Sequence, residues 1–167
     1  MASHVEAIIF DGDPETAAMP DGLKTDPLTA GLTMLPLTRG ALEQLGAEDP
    51  NDDRIQPDWT LRRAVARLAE RMSADRQVLY VFGETWAGPV IQEAAGWREG
   101  RLVYGPTGTC DLEADEEPGY RVAPREDGAI NRGLRAMGVQ ADPGVDEYES
   151  IGLTRQRMTD DWIDACF

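Results

Sequence analysis

Three apolar segments separated by two short turns occupy residues 78–104, and they fix the kind of fold open to this chain. Residues 78–82 (Val-Leu-Tyr-Val-Phe) form a continuous apolar run, of a length that suits a strand buried on both faces. Ala87, Gly88 and Pro89 can turn the chain, and residues 90–97 run back. Arg98-Glu99-Gly100 is a short turn with glycine where a positive φ is needed. Residues 101–104 then complete a three-strand meander, and Gly105-Pro106 ends it.

Helical periodicity surrounds the meander. Leu61, Val65, Leu68 and Met72 fall on one stripe and predict a helix over residues 59–74, with Asp58 or Thr60 as its cap. Arg62, Arg63, Arg67 and Arg71 lie off that stripe and read as a solvated face or as partners for acidic segments. Ile130, Leu134 and Met137 mark a second helix, closed by Gly138 with Val139 against Leu134. Thr38 caps a shorter helix that Leu37 and Leu42 staple and Gly46 stops. Residues 5–10 and 32–37 predict short strands, and the first ends at Asp11-Gly12-Asp13-Pro14. Short C-terminal helices carry Val145, Tyr148 and Ile151, then Trp162, Ile163 and Cys166 behind Thr159. Residues 14–31, 48–58 and 107–128 read as loops. The expectation is one α+β domain over residues 1–167, an antiparallel β-meander with helices packed on one face.

Charge constrains the partners. The chain has 31 acidic and 16 basic residues, a net charge of −15. Such a surface repels nucleic acid and anionic lipid, and it attracts basic partners. The surplus is uneven: residues 1–58 carry a net −9, residues 59–110 a net +2 and residues 111–167 a net −8. No run approaches the roughly 18 apolar residues of a membrane span, and the first ten residues lack a secretion pattern. A cytoplasmic bacterial protein is expected, with Cys110 and Cys166 as reduced thiols.

Most catalytic machinery is missing. His4 is the only histidine and Lys24 the only lysine, which removes histidine-based triads, zinc clusters and the phosphate-loop lysine. Ile8-Ile9-Phe10-Asp11-Gly12-Asp13 resembles the opening signature of haloacid-dehalogenase-type phosphatases. That family's threonine or valine is Glu15 here, and no lysine follows residue 24. Glu84 and Glu93 flank the first hairpin turn beside Trp86, an arrangement open to glycoside chemistry if the two carboxyls converge. Asp115-Glu116-Glu117 and Asp160-Asp161 lack the spacing of a calcium loop. Neither a cofactor nor a metal is expected.

Several strings resemble a set of small, mostly uncharacterised actinobacterial proteins. They are Tyr80-Val81 with Trp86 and Gly88, Ala95 through Val103, Gly105-Pro106, Ile130 through Val139 and Thr159-Asp160-Asp161-Trp162. Acidic proteins of that kind include immunity partners of secreted toxins. The net charge, the missing catalytic residue types and the acidic loops predict a binding or inhibitor protein whose partner is a basic protein, with no nucleic acid and no membrane involved, and the resemblance adds the immunity role as an analogy. The expected contact surface is Glu84, Trp86, Asp115, Glu116 and Glu117. Two alternatives stand beside it. One is a carboxylate-dependent hydrolase or metal-assisted enzyme using Asp11 and Asp13 or Glu84 and Glu93. The other is a structural subunit, suggested by four tryptophans.

Overall fold

A computed structural model describes residues 2–46, 53–56, 59–85, 90–111 and 120–164. Seven strands form one sheet in the order β2-β3-β1-β4-β5-β6-β7. They are β1 (Ser3–Asp11), β2 (Asp26–Pro27), β3 (Leu32–Pro36), β4 (Val78–Thr85), β5 (Val90–Arg98), β6 (Arg101–Cys110) and β7 (Tyr120–Val122). The expected meander is β4-β5-β6, and all pairings are antiparallel except β6 with β7. The α+β class is therefore as the sequence pattern implied.

Five helices accompany the sheet: α1 (Arg39–Gln44), α2 (Arg63–Met72), α3 (Ala129–Ala136), α4 (Glu147–Ser150) and α5 (Asp161–Asp164). They do not share one face, contrary to the expectation. Side chains alternate along a strand, and both sets of β1 are buried. Ile8 and Phe10 join Tyr80, Phe82, Trp97 and the Val65–Leu68–Met72 stripe of α2. Val5, Ala7 and Ile9 join Leu79, Val81 and Ala94 beneath Ile130 and Leu134 of α3, with Trp162 of α5. A sheet apolar on both faces needs a layer on each.

Local chemistry explains most element ends. Thr38 Oγ1 accepts a hydrogen bond from Ala41 N and caps α1 as expected. Gly138, at φ 90°, ends α3 and lets Val139 N reach Leu134 O at 3.0 Å. In α2 the expected cap fails. Arg62 holds the cap position without a side-chain bond, and Asp53 Oδ2 accepts from Ala64 N at 3.0 Å instead. The loop expected over residues 107–128 also yields structure. β6 runs through Gly105-Pro106 to Cys110, with its register against β5 shifted between Ala94 and Gly96. Gly105 tolerates this because its backbone lies against Ala94 O, which an added Cβ would meet at 2.5 Å.

The N-terminus is a further departure. A strand at the start of a chain tends to fray unless tied down. β1, however, lies between β3 and β4, and His4 N donates to Arg157 O at 2.8 Å.

Candidate functional site

On the α2 face, apolar packing gives way at one end of the sheet to a row of polar side chains. His4 and Glu6 of β1 stand opposite Glu84 and Phe82 of β4, and Phe82 stands opposite Glu93 of β5. Period-two alternation sends His4, Glu6, Glu84 and Glu93 to the same side as Ile8 and Tyr80. Glu6 and Glu93 are buried, at 5% and 1% exposure, so each carboxylate needs partners. Glu6 Oε1 accepts from Arg62 Nη1 at 2.8 Å and from the Tyr80 hydroxyl at 3.0 Å. Tyr80 Oη and Thr60 Oγ1 lie 2.8 Å apart. Glu93 accepts from Thr60 N at 3.0 Å, from Thr60 Oγ1 and from the Tyr120 hydroxyl. One network thus runs from Arg62 through Glu6, Tyr80, Thr60 and Glu93 to Tyr120.

The network shifts its acids and bases. Burial pushes the Glu6 carboxyl above its ordinary range, against the opposing pull of Arg62, the Tyr80 hydrogen bond and His4. Burial, then the charges of Glu6 and Glu93, hold the Tyr80 phenol well above its ordinary range. Tyr80 therefore stays a neutral donor, and its role is to connect.

The same network gathers chain segments. Trp59 and Tyr120 stack with ring centres 6.0 Å apart and planes 17° from parallel. Trp59 follows residues 57–58, and Tyr120 follows residues 112–119. Asp111, which precedes that second segment, accepts from Val90 N at 2.8 Å. Val90 in turn follows residues 86–89 and pairs with Thr85 on the other side of them. The residues flanking these three segments therefore meet at one end of the sheet.

Glu84 belongs to that end, 3.7 Å from His4 Nδ1. Of the other expected contact residues, Trp86, Asp115, Glu116 and Glu117 lie outside the described residues. Their flanks, Thr85 with Val90 and Asp111 with Tyr120, fall in the same neighbourhood as Glu84. Charge is distributed accordingly. Eight of the 31 acids and none of the 16 bases lie in the segments outside the described residues. The described residues carry the other 23 acids and all 16 bases.

The residues proposed for catalysis are tied into the frame. Asp11 Oδ1 accepts from Gln77 N at 2.9 Å, and Asp13 Oδ1 accepts from Glu15 N at 2.9 Å. Asp11 thus ties the end of β1 to the start of β4 while Asp13 holds its own turn, and β1 is antiparallel to both neighbours rather than part of a parallel sheet. Glu84 and Glu93 share a face but serve different partners, His4 for one and Thr60 with Tyr120 for the other. Among the described residues no group of three His, Cys, Asp or Glu side chains is placed to hold a metal. Trp59, Trp97 and Trp162 are buried core residues, which removes them as an exposed assembly surface. The fourth, Trp86, lies outside the described residues.

Beside the network lies a cleft of about 550 Å³ that sequence reasoning missed. Glu6 and Arg62 lie at it, with Leu37, Leu42 and Met158 as apolar walls and Arg39, Glu43, His4 and Asp160 among the polar lining. Thr159 fixes this lining by accepting from Glu6 N at 3.0 Å and donating to His4 O at 3.2 Å. The available signal was Glu6 itself, a carboxylate inside an otherwise apolar strand. Compared with family models, curated proteins and solved structures, the chain matches none.

Proposed function

We propose that this chain is an acidic binding protein that occupies and blocks a basic protein partner, in the manner of an immunity protein neutralising a basic toxin. One observation carries the reading. Residues 57–58 and 112–119 hold five acids and no base, and the residues that flank them converge at one end of the sheet. A surplus kept only for solubility has no reason to collect there. Concentrated negative charge raises the encounter rate with a basic surface and orients it. Glu84 lies at the same end, beside Thr85 and opposite Ile91, and Thr85 and Val90 flank the segment that contains Trp86 in sequence.

The test is capture from the native host at about 0.05 M and about 0.5 M salt, which differ severalfold in screening length. A basic protein should be retained at the lower salt and released at the higher. The triple variant Asp115→Asn, Glu116→Gln, Glu117→Gln should capture about tenfold less, as expected when several charge pairs are lost. Absence of a partner at either salt, or capture indifferent to both salt and the triple variant, would end the proposal. Retention of the frame is checked by circular dichroism of the variant.

A further inference from the structure

The cleft at Glu6 has a chemistry of its own. Its floor is a buried carboxylate that uses only one oxygen. Both hydrogen bonds to Glu6 arrive at Oε1, and among the described residues none reaches Oε2. The two arginines of the lining are each already matched with a carboxylate, Arg62 with Glu6 at 2.8 Å and Arg39 with Glu43 at 3.3 Å. Asp160, exposed at the rim, forms no ion pair among the described residues. The charge left over in the cleft is therefore negative. Leu37 and Leu42 on one side and the 43%-exposed Met158 on the other supply apolar contact for a hydrocarbon stem. A space of about 550 Å³ lies in the range of pockets that enclose small groups.

We infer that this cleft receives one alkylguanidinium or alkylammonium group, the side chain of an arginine or lysine on the partner. The inference rests on the basic-partner reading above and names the chemistry of its anchor. The cationic head donates to Glu6 Oε2 and approaches Asp160, while the stem lies along Leu37, Leu42 and Met158. A carboxylate as buried as Glu6 gains from a second donor, because one ion pair leaves an acceptor of the desolvated group unused. Long basic side chains suit such a site, since they bury the stem and present the charge at the tip.

The probes are n-propylguanidinium and n-butylammonium, with propionate as the anionic control. Binding is read on the full chain by NMR of the Met158 methyl and the His4 ring. Both cations should produce saturable shifts with a Kd of about 1 mM or weaker, as befits ligands of so few atoms. Propionate should produce none. Glu6→Gln should weaken the cations by roughly tenfold or more, and Asp160→Asn by about two- to fourfold. Equal binding of propionate, absence of saturable shifts, or a folded Glu6→Gln protein that binds cations unchanged would overturn the inference. Should Glu6→Gln fail to fold, Asp160→Asn combined with Met158→Ala decides, and unchanged binding there overturns it equally.

The two readings fail separately. Cation binding without any basic partner in the capture experiment keeps the pocket's chemistry and removes the partner. A captured partner that excess n-propylguanidinium and the Asp160–Met158 double variant leave undisturbed keeps the partner and overturns the pocket. Putrescine, a free diamine, tests the remaining source. Micromolar binding of it that leaves the partner in place would assign the cleft to a small amine and overturn the side-chain assignment.

Discussion

The two faces of the central sheet handle buried polarity in different ways. On the α3 face the buried polar groups are mostly neutral and satisfy helix ends. Gln92 Oε1 accepts from Ile130 N at 3.0 Å, and Thr109 Oγ1 accepts from Ala129 N at 2.9 Å. Gly128, at the cap position, has no side chain to do this, so two strands cap the helix from below. On the α2 face two carboxylates, Glu6 and Glu93, are buried, and their partners are an arginine, a threonine and two tyrosines. A neutral cap contributes about 1 kcal/mol. A buried charge stripped of its partners, or partners stripped of their charge, costs several times that. The charged arrangement is thus no better a glue for the fold, but it is far more sensitive to change. It also sits where the residues flanking segments 57–58, 86–89 and 112–119 meet, which is why the proposed function is placed on the α2 face.

Glu93→Ala is the largest expected break of this contrast. It leaves three partly buried donors, Thr60 N and the Thr60 and Tyr120 hydroxyls, without their acceptor, at a cost of about 3–5 kcal/mol when each stranded donor costs about 1–3 kcal/mol. Urea unfolding checks the magnitude, and amide exchange should show the loss first at residues 59–62 and 120–122. Equal loosening of α3 would show that the two faces are not separable. The α3 face gives a smaller response to Gln92→Ala, about 1–3 kcal/mol, because a single donor, Ile130 N, is stranded.

Packing offers a test from the opposite direction. Gly133 of α3 lies against β4, and a Cβ there would meet Leu79 Cδ1 at 2.8 Å and Cδ2 at 3.2 Å. Gly133→Ala gains helix propensity of nearly 1 kcal/mol and loses about 1–3 kcal/mol to overpacking. A net loss of up to about 2 kcal/mol is expected from those two effects together. A stabilised variant would mean that Leu79 moves aside easily and that this face is softer than its burial indicates.

The sequence revealed those parts of the fold whose signals are local. α1 was legible because Thr38, Leu37, Leu42 and Gly46 lie within ten residues of one another. The end of α3 was legible for the same reason in Leu134, Gly138 and Val139. The start of α2 was not, because its acceptor is Asp53, ten residues before the helix, while the hydroxyl of Thr60 is taken by Glu93 and Tyr80. Strands β2 and β7, of two and three residues, have no period to detect and exist through their neighbours. The second layer of helices was hidden in the same way, since a run such as residues 5–10 shows burial without showing what buries it. Glu84, expected on the contact surface, lies 3.7 Å from His4 Nδ1 and opposite Ile91. Glu93 was noticed for catalysis and is a structural hub instead. Glu6, Arg62 and Tyr80 come from three distant elements, and only the register of β1 with β4 joins them.

A pH dependence probes the burial of Glu6 on the α2 face with a nearly isosteric substitution. Glu6 is held above its ordinary value of 4.5 by burial. Between that value and its folded value the native state holds a proton that the unfolded chain has released. Its contribution to stability is therefore complete below 4.5 and is lost as pH rises through the folded value. Glu6→Gln, which cannot ionise, should lose this slope. The stability difference between Glu6→Gln and the native chain, followed by urea unfolding upward from pH 4.5, should shift steadily in favour of the variant. A difference flat across that window would show that Arg62 and Tyr80 outweigh the burial of Glu6.

The smallest effect is expected at the rim of the same cleft, where the chemistry is the same and the surroundings are not. Arg39 and Glu43 form an ion pair at 3.3 Å, but their side chains are 94% and 48% exposed. Arg62 and Glu6 form theirs at 2.8 Å with side chains 13% and 7% exposed. In water the attraction is screened, and holding two long side chains together costs entropy. Arg39→Ala should therefore change stability by less than about 0.5 kcal/mol, whereas Arg62→Ala strands a buried carboxylate and should cost about 3 kcal/mol or more. The same pair of variants, titrated with salt, should show Arg39→Ala approaching the native chain as screening removes what little it lost, while Arg62→Ala stays apart. Equal losses at the two arginines would mean that the cleft is wetter than its floor implies. The carboxylate proposed to receive a cation would then be an ordinary surface acid.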